Sequence, residues 1–336
     1  MNSDTILLAH GGGGLLMREL VEGLIVPGLS NPALDRLDDS AIVKAKGNSL
    51  AMTTDSYVVS PLFFPGGDIG KLAVCGTIND LSVAGARPLY LTLSFIIEEG
   101  LPTDTLRKVL QSISETASEA GVQIVTGDTK VVDRGKADKL FINTSGVGEI
   151  IEGVDISAAN AKPGSHVIVN GPMGDHGIAV ISKREGIEFK TPVTSDVAAL
   201  WGLIERVLDV CPEVQTMKDA TRGGLAAVLN EVASSSRAGI VVREKDIPVR
   251  DAVRGACDLF GYDPLYVANE GKVVIICPAE RSDAVLKAMC AHPLGREATI
   301  IGEVTNERIG RVLMETNIGG QRIVDMPYGE QLPRIC

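Results

Sequence analysis

Three aspartates follow runs of strand-forming residues. Leu50-Ala-Met-Thr-Thr leads into Asp55, Val122-Gln-Ile-Val-Thr-Gly into Asp128, and Val214-Gln-Thr-Met-Lys into Asp219. Asp39, from an Asp38-Asp39 pair ahead of a strand, and Asp80, inside a helical pattern, extend the set. Each alone reads as a cap on the next helix or turn. Gathered on one cleft they would repel one another, and their hard oxygens suit Mg²⁺, which bridges phosphate oxygens. Gly11, Gly12, Gly13 and Gly14 open an amphipathic helix marked by Leu16, Leu20 and Leu24, and the free amides of such a loop can cradle phosphates. Together these features suggest a Mg-nucleotide site. The glycine run matches neither GxxxxGK[ST] nor GxGxxG, so a flexible turn stays open as its other reading. The chain ends on Cys336. A chain end rarely fills a core, and the thiolate is the reactive form of a cysteine. Ten residue steps from Met326 span at most about 33–36 Å, so the thiol could swing between an internal cleft and an external partner.

Helical and strand-like segments alternate along the chain, the signature of α/β construction. Strands are expected at 41–45, 50–54, 89–97, 122–126 and 140–147, with helices at 69–86 and 102–120. A weakly patterned stretch at 151–164 ends in Lys-Pro-Gly and suggests a boundary. Beyond it the alternation resumes, with strands at 166–170, 214–217, 240–243, 273–277, 298–304 and 311–315 and helices at 174–183, 197–208, 224–234, 249–259 and 283–291. We divide the chain into 1–155, 156–316 and an extended, mobile tail, 317–336. The 336 residues suit about two domains. With 45% hydrophobic residues the chain can build a core, and a net charge of −11 argues against general binding to nucleic acid or anionic membranes. No apolar run is long enough for a transmembrane helix, the first ten residues do not read as a secretory signal, and the six cysteines show no CxxC pair. Five of them lie in apolar segments and read as small core residues. A cytoplasmic location is expected.

The segments LDDSAIV, LAMTTDSY, FFPGGDIGKLAVCGTINDLSVAGARP, GDTKVV, KDATRGGL and ANEGK, with the ending PRIC, resemble the HypE family of hydrogenase maturation proteins. That family lies within the aminoimidazole ribonucleotide synthetase-like ATP-binding superfamily, and the resemblance covers essentially the whole chain. The terminal PRIC separates this family from its superfamily relatives. The resemblance implies two α/β (α+β) domains of the synthetase-like fold, the N-terminal sheet pairing with that of a second subunit in a homodimer. It implies ATP and Mg²⁺ in a cleft, with Asp39, Asp55, Asp80 and Asp219 as metal and phosphate ligands and Asp128 as a further polar contact. His10 and Gly11 to Gly14 would form the flap over the phosphates. Cys336 would receive a carbamoyl group from the carbamoyltransferase HypF. ATP-dependent dehydration would convert the S-carboxamide to an S-thiocyanate, whose cyano group passes to iron held by HypC–HypD for a [NiFe]-hydrogenase.

Stripping oxygen from a carboxamide requires a better leaving group, which phosphorylation supplies, and a base near the nitrogen. Lys130 in GDTK and Glu270 in ANEGK stand in matching motifs. We read Lys130 as the base and Glu270 as its partner; a plain ion pair between them is the other reading. A lysine serves as base only when desolvated or pressed by other cations. His176, in GDHG, could also line the cleft. Two other functions compete. One is a different superfamily enzyme such as a selenophosphate synthetase, which would carry a Cys or selenocysteine in the glycine-rich segment, where residues 1–14 have none. The other is a non-catalytic carrier that presents Cys336 to partners.

Overall fold

The computed structural model describes residues 7, 10, 12–29, 31, 34–45, 48–187, 191–329 and 332–336; Gly11 lies outside them. The chain begins with a broken helix, α1 (Leu15–Leu20) and α2 (Val26–Leu29), joined by a π-helical turn. Strands β1 (Ala41–Ala45) and β2 (Asn48–Tyr57) pair, and two short strands, β3 (Phe63–Phe64) and β4 (Gly67–Asp68), lead into helix α3 (Ile69–Val83). Strand β5 (Ala86–Glu98), helix α4 (Thr103–Ala120), β6 (Gln123–Val132) and β7 (Leu140–Ile150) complete the first half. The sheet runs β1-β2-β7-β5-β6, with β5 and β6 parallel and its other pairs antiparallel.

Helices α3 and α4 cover one face of this sheet. On α4, Val109, Ile113 and Ala117 recur at helical spacing and are buried. Helix α3 is apolar nearly all round and has 13 of its 15 residues buried, the composition of a helix packed on all sides. It lies between the first sheet and the second half of the chain, against β2, β7, β9 and α6. Its N-cap is Asp68, which accepts from the Gly70 and Lys71 N–H groups (2.6 and 3.2 Å). The opposite face and free edge of the sheet are open, and there Met52, Tyr90, Ile96, Val125 and Val131 are between 43% and 67% exposed.

After Ile150 a connection with one 3-10 turn leads to the second half. In chain order this comprises β8 (Ser165–Val169), α5 (Asp175–Glu185), α6 (Trp201–Val210), β9 (Thr216–Asp219), α7 (Gly224–Ser236) and β10 (Gly239–Arg243). Then follow α8 (Asp251–Phe260), β11 (Val273–Pro278), α9 (Ser282–Cys290), β12 (Thr299–Thr305), β13 (Val312–Glu315) and β14 (Gln321–Val324). The seven-stranded sheet has the order β14-β13-β10-β12-β8-β11-β9. Its one face packs on α7 through Leu225, Leu229 and Val232, and the other on α6 and α9 through Leu203, Val207 and Met289.

Four expectations change. Residues 317–336 are not tail throughout, because Gln321–Val324 pairs antiparallel with β13 and joins the sheet. Asp55 and Asp128 do not end their strands: pairing with β7 carries β2 on to Tyr57, and pairing with β5 carries β6 on to Val132. Neither these two nor Asp219 caps a helix, since α7 begins behind Gly223. Of the five cysteines expected in cores, Cys290 is exposed near the end of α9, while Cys75, Cys211, Cys257 and Cys277 are buried.

Candidate active site

Alternation along β2 puts Thr53, Asp55 and Tyr57 on the side that meets α3. Thr53 Oγ1 donates to Asp80 Oδ2 (2.7 Å), and the Tyr57 hydroxyl donates to Asp55 Oδ2 (3.1 Å). Asp80 comes from the last turn of α3, and Asp219 closes β9 across the interface. Asp39 enters just before β1, held by Lys218 Nζ at 2.7 Å. Lys218 is buried and also meets Glu231 at 3.1 Å. Burial opposes its charge, but Asp39 and Glu231 outweigh this and raise its pKa.

Asp39, Asp55, Asp80 and Asp219 line one cavity of about 170 Å³, together with Glu270 and the terminal Cys336. The carboxylates press on one another. Burial first, then Asp55, Asp219 and Asp39, push Asp80 well above the usual carboxylate range. Burial and Asp39 push Asp219 to about 8. Glu270 is raised by burial and then by Asp219 and Asp196, and its Oε1 is buried without a hydrogen-bond partner. Such a set fits a divalent cation, yet among the described residues no three acidic, His or Cys side chains form a ready-made metal cage. Hard carboxylate oxygens of this kind suit Mg²⁺, which takes one or two of them and completes its shell with phosphate oxygens and water.

A second cavity of about 440 Å³ adjoins the first and shares Asp39, Asp219, Thr221 and Arg222 with it. Gly13 and Gly14 line this one. Gly13 takes φ +70°, and a Cβ there would meet the Arg222 backbone oxygen at 3.0 Å, so only glycine lets this segment close on Arg222. The amides that open α1 are bonded to the tail: Leu15 N–H donates to Pro327 O (2.7 Å) and Leu16 N–H to Tyr328 O (3.3 Å). Gly12 is buried, and His10, also buried, accepts from Leu7 N–H at Nδ1 (2.9 Å); neither is among the described residues that line these two cavities. A larger groove of about 650 Å³, by Leu62, Glu99 and Arg134, contains none of the candidate residues.

The tail does not hang free. Leu332 and Ile335 are buried, and the chain runs antiparallel to the segment after β2, with Ser60 N–H donating to Arg334 O (3.2 Å) and Val58 N–H to Cys336 O (3.1 Å). Cys336 thereby enters the acidic cavity. Lys130 and Asp128 are elsewhere, on the open edge strand β6, where they pair at 3.0 Å with side chains 69% and 60% exposed. Lys130 first of all, then the Thr129 N–H, hold Asp128 below its usual range. In one chain Lys130 is therefore not paired with Glu270.

Several residues that shape the site were not singled out from sequence. Arg222 lines both cavities, and its charge is favoured by Cys336 first, against burial, with Asp55 and Glu270 adding. Lys218, Thr221 and Arg222 stand in the KDATRGGL segment itself, and Tyr57 shares the strand parity of Asp55. Asn79 is buried beside Asp80 and fixes Glu270 across the interface. Its Nδ2 donates to Ala198 O (3.1 Å) and Glu270 O (3.2 Å), and its Oδ1 accepts from Leu200 N–H (2.8 Å). Asp196 Oδ1 accepts from Glu270 N–H at 3.0 Å and Asp196 Oδ2 pairs with Lys272 at 3.0 Å.

Two α/β halves meeting over a carboxylate-lined cleft define the class. Residues 37–150 match the N-terminal domain, and residues 162–315 the C-terminal domain, of AIR synthase related protein. The chain is 50% identical over 336 residues to carbamoyl dehydratase HypE of Azotobacter vinelandii, covering 100% of this chain and 98% of that one. Among solved structures, HypE in complex with ATP superposes with a TM-score of 0.84 at 48% identity, covering 99% of this chain and 100% of that one. A HypE–HypF complex gives 0.88 at 48% identity, covering 92% and 99%. The chain belongs to the AIR synthase related family and, within it, to the HypE carbamoyl dehydratases.

Proposed function

We propose that the chain is an ATP-dependent carbamoyl dehydratase that acts on its own terminal cysteine in hydrogenase maturation. The observation that carries this is the meeting of Cys336 with Asp39, Asp55, Asp80, Asp219 and Glu270 in one cavity. A related HypE has been solved with ATP and another with HypF, which supports ATP as co-substrate and a HypF-type carbamoyltransferase as the source of the S-carboxamide.

The substrate oxygen of Cys336–S–CO–NH₂ attacks the γ-phosphorus of ATP, and the bond from that phosphorus to ADP breaks. The substrate nitrogen gives up its protons, the C–O bond breaks, and the oxygen departs with phosphate. The products are Cys336–S–C≡N, ADP and phosphate. Mg²⁺, when bound, would supply charge neutralisation for the phosphates, its protein oxygens drawn from among Asp39, Asp55, Asp80 and Asp219. Arg222, shared by both cavities, offsets charge where nucleotide and thiol approach. Glu270 handles protons beside the nitrogen. We retain Lys130 as the base. Its place on the open edge of β6 means that it serves this chemistry from a second copy, docked on the apolar face that carries Met52, Tyr90 and Ile96. We further propose a homodimer, delivery of the cyano group to iron on HypC–HypD, and a cytoplasmic location, in keeping with six free cysteines. We also propose the division at residue 155, with the second domain carried past 316 to Val324 so that it includes β14.

Intact mass spectrometry of the carbamoylated chain tests the reaction. Loss of one water upon adding ATP, located in the terminal peptide, is expected. Unchanged mass with ATP hydrolysed to ADP would overturn the assignment.

A further inference from the structure

Helix α5 runs beside the docked tail and grips it at two points. At its C-terminal end Arg184 spends its planar fork on main-chain oxygens. Nη1 donates to Pro333 O (2.7 Å), Nη2 to Arg334 O (2.7 Å) and Nε to Ser60 O (2.8 Å). At its N-terminal end His176, fully buried, faces Ile335 O with Nε2 at 2.8 Å. A carbonyl only accepts, so Nε2 carries a proton. Burial lowers the pKa of His176, outweighing the Asp196 carboxylate, which favours the charged ring. In the neutral ring Nδ1 accepts from Ser195 Oγ at 2.8 Å, which in turn accepts from Val197 N–H (3.1 Å).

Between the two grips the helix is smooth. Gly177 leaves room for Leu332, whose Cδ1 would lie 3.1 Å from a Cβ at that position. On the far side the Val58 N–H donates to a Cys336 carboxylate oxygen and the Ser60 N–H to the Arg334 carbonyl. Successive main-chain oxygens from Pro333 to Cys336 therefore each have a donor. These bonds from Arg184 and His176 all go to main-chain oxygens, so they read where the backbone lies. Slipping the tail by one residue would carry each oxygen off its donor, because the turn at Pro333-Arg334, with Arg334 at φ +53°, aims two successive oxygens at the one Arg184 fork. The same slip, one Cα–Cα step, would move the terminal sulfur by up to about 3.8 Å, enough to spoil a reacting distance.

We propose that Arg184 and His176 are positioning residues. By holding the Pro333, Arg334 and Ile335 carbonyls they set the register at which the sulfur of Cys336 enters the acidic cavity. The proposal deepens the reading of the chain as a dehydratase of its own tail, and rests on it for the chemical readout alone.

Two measurements on the full-length chain test it. The first is alkylation by iodoacetamide, followed residue by residue, with exposed Cys290 as internal reference. Arg184→Lys keeps the charge and bulk but cannot span three oxygens. It should speed alkylation of Cys336 about tenfold relative to Cys290, the scale expected for losing bonds from a charged donor. His176→Ala should act likewise, and His176→Gln, which can still donate and accept, should restore part of the protection. The second is single-turnover dehydration of the carbamoylated chain. Arg184→Lys should slow it about tenfold at saturating ATP and leave the KM for ATP unchanged. Wild-type alkylation rates in folded Arg184→Lys and His176→Ala chains would overturn the proposal. A dehydration rate unchanged in Arg184→Lys would do so as well. If the wild-type chain loses no water, the dehydratase reading fails, and the alkylation rates still decide whether the grip exists.

Discussion

Strands β2 and β6 belong to one sheet, and each presents an aspartate after a similar run of residues. Asp55 on β2 lines the acidic cavity with Tyr57 and Asp80, whereas Asp128 on β6 meets its own strand neighbours, the Thr129 N–H and Lys130, and solvent. The strands do not differ in sequence pattern. They differ in what covers them: β2 lies under α3 and faces the second half of the chain, and β6 is a free edge. An acidic residue acquires a cleft from the element packed over it, and an edge strand left largely uncovered is open to another chain.

The contrast can be broken by experiment. The largest effect belongs to the sulfur: Cys336→Ala should form no thiocyanate and still bind ATP, and product from this variant would remove the tail from the mechanism. Asp55→Asn should lower ATP-dependent dehydration by about 100-fold or more, with Asp128→Asn costing far less. Equal losses would erase the distinction between the strands. Lys130 sharpens it. Lys130→Ala and Asp55→Asn chains, each inactive alone, should regain roughly a quarter of wild-type activity when mixed, because a mixed dimer keeps one intact site. No recovery in a mixture shown to exchange subunits would put Lys130 to work within its own chain. Val131→Glu, on the open edge, should shift the protein toward monomer in sedimentation velocity, and an unchanged profile would move the contact elsewhere.

The smallest effect concerns a buried acid away from the reaction. Burial raises Asp175 to about 6, and Arg250 at 3.4 Å offsets this only in part. The folded protein therefore binds this proton more tightly than the unfolded chain, and the penalty is fully present above pH 6 and fades as the pH falls toward 4. Asp175→Asn should add about 1–3 kcal/mol at pH 8 and little at pH 4. A gain independent of pH would assign it to something other than ionisation.

Local pattern carried much of the fold. Helix α3 was readable because its residues are apolar on every side, and α4 because its polar face is so regular. Strand β14 was not, since Gln-Arg-Ile-Val is short and mostly exposed and is fixed only by its pairing with β13. The acidic residues could be recognised singly and through their motifs, but their convergence depends on α3 standing between the halves. The tail looked mobile because its anchors lie far back in sequence. Arg184 and His176 precede the carbonyls they hold by about 150 residues, and nothing in GDHG announces a partner at the chain's end. Arg222, by contrast, stands in the KDATRGGL segment, whose pattern marks the aspartate as a ligand and gives the arginine no separate signal.

The bonds from Leu15 and Leu16 to Pro327 and Tyr328 give the arm two lengths. With that buckle fastened, the eight steps from Tyr328 allow a radius of about 26–29 Å; once it opens, the twelve steps from Val324 allow about 40–43 Å. On the proposed function, a partner whose receiving centre lies beyond the shorter radius would be served only after the buckle gives way, and its opening would also uncover the first turn of α1 beside the cavity lined by Gly13 and Gly14. Delivery over distance and access to that cavity would then share a single mechanical event.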